Sequence, residues 1–77
     1  MFQIVARTAP PAALAARFAT FADAANCATV HAKQRGECRV KLVDGGFLAD
    51  FVPSYDRRQV SVFTTHEGED YVLGWAR

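Results

Sequence analysis

The chain has 77 residues, 51% of them apolar, with nine Lys or Arg against eight Asp or Glu and a net charge of +1. That length suits one domain over residues 1–77, with a thin core, and the near-neutral balance argues against both a strongly basic nucleic-acid binder and an acidic mimic of DNA. No apolar run approaches the ~18 residues of a membrane span, two cysteines make no disulfide framework, and Met1 to Arg7 lacks a basic-then-apolar leader pattern, so the cytoplasm is the expected compartment.

Phe2 to Arg7 predicts a strand, with Phe2, Ile4 and Ala6 on one side and Gln3, Val5 and Arg7 on the other. Thr8-Ala9-Pro10-Pro11 ends it, and prolines are tolerated in a first helical turn. A helix is expected from about Pro10 to Ala25, because Leu14, Phe18, Phe21 and Ala25 recur at helical spacing. Next, Ala28, Val30 and Ala32 alternate with Thr29, His31 and Lys33, which predicts a strand. A three-residue loop, Gln34-Arg35-Gly36, joins it to a second strand in which Cys38, Val40 and Leu42 alternate with Glu37, Arg39 and Lys41.

Asp44-Gly45 is a turn signal that sets Leu42 against Phe47, Val40 against Ala49, Cys38 against Phe51 and, on the other face, Arg39 against Asp50. Pro53 stops that strand, and Ser54 to Arg58 form a polar loop. The last pattern predicts a hairpin turning at Glu67-Gly68, with Val60, Val62 and Thr64 returning as Tyr71, Leu73 and Trp75. The expected fold class is α+β: one amphipathic helix packed on an antiparallel sheet, in the order β-α-β-β-β-β-β. That order resembles the cystatin or monellin arrangement in architecture only. The cystatin Q-x-V-x-G loop is not matched by Gln34-Arg35-Gly36-Glu37-Cys38, there is no Pro-Trp pair in the second hairpin, and no inhibitory residues carry over.

No catalytic residues, metal ligands or cofactor emerge from the sequence. There is no G-x-S-x-G elbow, C-x-x-C or H-x-x-x-H spacing. Cys38 suits a small core hydrophobe. It is expected to face Ala32, roughly 16 Å along the strand from Cys27 and so beyond disulfide reach. The acidic group Glu67, Glu69 and Asp70 suits a solvated turn.

The face of the sheet without a helix is where function is expected. Leu48, Val52, Phe63 and Val72 are predicted to stand there uncovered, beside a basic stripe of Lys33, Arg39 and Lys41. A contiguous apolar group of this kind marks a partner surface. The expected function is therefore a non-enzymatic protein-binding module, of the size and plainness of phage and mobile-element inhibitors such as the anti-CRISPR proteins. A protein partner, or a second copy of the chain through the sheet face, would cover that surface. The alternative is nucleic-acid binding through the basic stripe, with salt-dependent affinity weakened by charge reversal at Arg39 and Lys41. A third reading is a small enzyme subunit whose site a partner completes.

Overall fold

The computed structural model describes residues 1–76. It contains β1 (Phe2–Ala6), β2 (Ala12–Ala13), α1 (Phe21–Arg35), β3 (Cys38–Leu42), β4 (Phe47–Pro53), β5 (Val60–Thr64) and α2 (Glu69–Ala76). The five strands form one antiparallel sheet in the order β2-β1-β3-β4-β5. The α+β class and the helix packed on an antiparallel sheet stand. The element order is different from the expected one: β-β-α-β-β-β-α.

The helix begins at Phe21, not Pro10. Residues before it run extended beside β1, where Leu14 N–H donates to the Ile4 carbonyl and Phe2 and Phe18 exchange two backbone bonds of 2.9 Å. Pro11 disfavours helical backbone at Pro10, and Pro10 disfavours it at Ala9, so the chain leaves β1 without starting a helix and pairs back along its edge. Leu14 and Phe18 still pack against the core, but from an extended backbone.

The predicted strand over Ala28 to Lys33 is part of α1. Thr20 caps the helix, its hydroxyl accepting from Asp23 N–H at 3.2 Å. Asp23 lies in the first turn and Lys33 and Arg35 in the last, which suits the helix dipole. Gly36 follows at φ 108°, a left-handed conformation that favours glycine, and its N–H closes on the Ala32 carbonyl. Phe21, Ala24, Ala25, Ala28 and Ala32 form the buried stripe. Small side chains there let the helix axis approach the sheet closely. Val30, expected in the core, lies on the outward side.

The predicted final strand is instead α2. Tyr71 and Trp75, four residues apart, share one helical face and both meet Phe21. Tyr71 also meets Phe2 edge-on, and Trp75 meets Phe51, while its indole N–H donates to Asn26 Oδ1. Leu73, expected in the core, is exposed. Glu67-Gly68 therefore turns into a helix, with Val72 N–H donating to the Gly68 carbonyl. Gly68 is required there because a Cβ would run into the Leu48 carbonyl.

One core results, on the helix side of the sheet, around Ile4, Val40, Ala49 and Phe51. No helix of the described residues is long and apolar enough to cross a membrane.

Candidate functional site

Both helices pack on the same face of the sheet, because their core contacts are with Phe2, Phe51 and the alanine stripe. The other face is built from alternate residues of four strands. Register places Val5, Arg39, Asp50 and Phe63 in one row across it, and Gln3, Lys41 and Phe47 in the next. Side chains in such rows are direct neighbours.

The centre of this face is an ion pair. Arg39 holds Asp50 in a two-pronged contact, Nε to Oδ1 at 2.6 Å and Nη2 to Oδ2 at 3.0 Å. The guanidinium lies 4.0 Å over the Phe47 ring, a cation–π arrangement. Arg7 approaches Asp50 at 3.7 Å and Glu37 at 3.6 Å. Two arginines and two carboxylates thus cancel in formal charge. Phe47 and Phe63 flank this network and are 42% and 61% exposed.

Phe47 owes its place to a β-bulge. Val40 pairs with Ala49, yet Lys41 pairs with Phe47, leaving Leu48 as an extra residue in β4. The alternation of β4 reverses there. Leu48, predicted on the open face, is fully buried, and Phe47, predicted in the core, is turned outward. Thr65 secures the bulge: its N–H donates to the Leu48 carbonyl, and its hydroxyl contacts the Phe47 and Leu48 carbonyls at 3.0 and 3.2 Å. The sequence reading missed Phe47 because these tertiary bonds, not the Asp44-Gly45 turn, set the slip.

Of the other residues expected on this face, Val52, Phe63, Arg39 and Lys41 are brought together. Val72 is not, since it lies on α2 and packs against the core. Lys33 is on the exposed side of α1, so it cannot extend a stripe with Arg39 and Lys41. Lys41 Nζ donates to the Val43 carbonyl at 3.2 Å. With Arg39 bound to Asp50, the three cations do not form a continuous basic surface.

On the helix side, a cleft of about 490 Å³ opens between α1 and the β1–β2 edge, lined by Ala6, Thr8, Leu14, His31, Arg35 and Glu37. His31 Nδ1 is enclosed without a hydrogen-bond partner among the described residues. The two thiols differ. Cys27 is exposed and Cys38 is buried, and both are free. Cys38 does not sit beside Ala32 on a neighbouring strand; its thiol donates to the Ala28 carbonyl of α1. Burial, with smaller contributions from Cys27, Glu37 and Asp50, pushes it up to about 12. It stays protonated and inert at neutral pH.

No family model, curated protein or solved structure matches the chain.

Proposed function

We propose that the chain is a non-enzymatic protein-binding module that docks a partner on the open face of its sheet. The observation supporting this is the strip Phe47, Arg39, Asp50 and Phe63, in which two exposed aromatics flank an internally neutralised ion pair. Aromatic and arginine side chains dominate binding energy at protein interfaces. Here the charges are already paired, so a partner can cover them without stranding an ion. That favours a protein surface with an apolar projection over a phosphate backbone, which needs free cations.

A photo-crosslinking side chain at position 63, compared with one at position 55, tests the proposal in cells that naturally make the protein. Tyr55 is fully exposed but lies in the loop after β4. Adducts to a defined protein other than a second copy of this chain are expected from position 63, not from 55, and are expected to vanish when Phe47→Asp is added. Equal adducts from both positions, or none, would reject the reading. An inhibitor works by occupying its partner. Wild-type protein should therefore suppress the captured partner's activity, and Phe63→Asp should not.

A further inference from the structure

The structure points to a second interaction surface, the free edge of β5, and we propose that it pairs antiparallel with β5 of a second copy of this chain. This inference does not rest on the open-face reading.

The two edges of the sheet are finished differently. At one edge, β2 is only two residues long and follows Pro10 and Pro11. Such an edge offers almost no template for a further strand. At the other, β5 has five residues, Val60-Ser61-Val62-Phe63-Thr64, with no charge, no proline and no bulge. Natural sheets ordinarily blunt an edge of this kind with lysine, proline or a bulge.

The backbone direction of each β5 residue follows from its neighbours. Ser54 N–H donates to the Gln59 carbonyl and Thr65 N–H to the Leu48 carbonyl. Hydrogen-bonded pairs alternate in antiparallel strands. The intervening pairs that face each other are therefore Val52 with Ser61 and Asp50 with Phe63. Val60, Val62 and Thr64 then turn their N–H and C=O groups away from β4. Among the described residues, no backbone bond outside the sheet reaches any of the three.

This arrangement is self-complementary. A two-fold axis at Val62 sets Val62 against Val62 of the second copy and Val60 against Thr64, giving about six backbone hydrogen bonds. On the open face, Phe63 of each copy lies beside Ser61 of the other, so a large side chain meets a small one. No like charges oppose each other anywhere along the seam. The second copy supplies its own equally unpaired strand, which a folded partner of another kind would have to present specially. The result is a continuous ten-stranded sheet, twice the five strands of one chain.

Sedimentation equilibrium over a wide concentration range, combined with single-cysteine crosslinking, tests this. The background is Cys27→Ser, because Cys27 is exposed. In the two-fold register the two positions 62 have Cα atoms about 5.5 Å apart, within disulfide range. Positions 60 and 64 each lie four residues out of step with their own copies. Val62→Cys should therefore form a covalent dimer on oxidation, while Val60→Cys and Thr64→Cys should not. Val62→Pro removes an outward donor together with a side chain that packs against the core, and should give a monomer, less stable than wild type, that keeps the wild-type circular dichroism spectrum at low temperature. A monomer at every concentration, or equal crosslinking at all three positions, would overturn the proposal.

Discussion

Ile4, Val40, Ala49 and Val62 lie on the side covered by a helix whose buried stripe is mostly alanine, whereas Val5, Arg39, Asp50 and Phe63, one residue along on the same strands, lie on the side without a helix. The helix side reaches its packing with small side chains and close approach, so it has little room to adjust. The open side satisfies its polar groups internally and leaves aromatics outside. A surface of that kind tolerates water when free, and its charges keep their partners when water is expelled. The same register therefore produces a rigid layer and a displayable one, and substitutions on the two should differ in kind.

The largest effect is expected for Phe51→Ala, which empties a fully buried site against Trp75. It should cost about 3–5 kcal/mol in chemical denaturation. Ala28→Leu should cost about 1–3 kcal/mol by the opposite route, because the added atoms force α1 off the sheet. Either change leaving stability untouched would break the contrast between the faces.

Cys38 gives the covered face a pH signature. Its thiol pKa rises from 9.0 to about 12 on folding. The unfolded chain loses this proton first, so the stabilisation is complete below pH 9 and is lost as pH rises through 12. Relative to Cys38→Ala, the wild type should lose about 1 kcal/mol at pH 10, read from denaturation curves at pH 7 and 10. On the open face, Asp50→Ala should cost about 1 kcal/mol, and a double-mutant cycle with Arg39→Ala should show that most of it belongs to the pair. Phe63→Ser should change stability by no more than about 0.5 kcal/mol in the same assay. Its larger consequence belongs to partner capture.

The parts legible in the sequence are those where independent signals agree. Two alternating patterns and the Asp44-Gly45 turn placed β3 beside β4, with Arg39 against Asp50 as found. From Ala28 to Lys33 the signals conflict, since alanine at positions 28 and 32 satisfies both a two-residue and a helical period. The cap at Thr20, the basic last turn and Gly36 resolve it in favour of the helix. Tyr71 and Trp75 carried the same ambiguity, and Glu69 and Asp70 in a first helical turn were the better guide. On the open face, Val52, Phe63, Arg39 and Lys41 followed from alternation. Leu48 and Phe47 did not, because contacts made seventeen or eighteen residues later along the chain decide them.

That slip in β4 has a bearing on how such a surface can diversify. An extra residue in a strand is a one-codon event, and here it detaches the fate of Phe47 from the fate of the core. With Leu48 filling the interior and Thr65 holding the backbone, a change at position 47 is expected to cost the fold its contact with Arg39 and little of the core. Recognition can then be retuned under selection at a position that the interior packing does not fix.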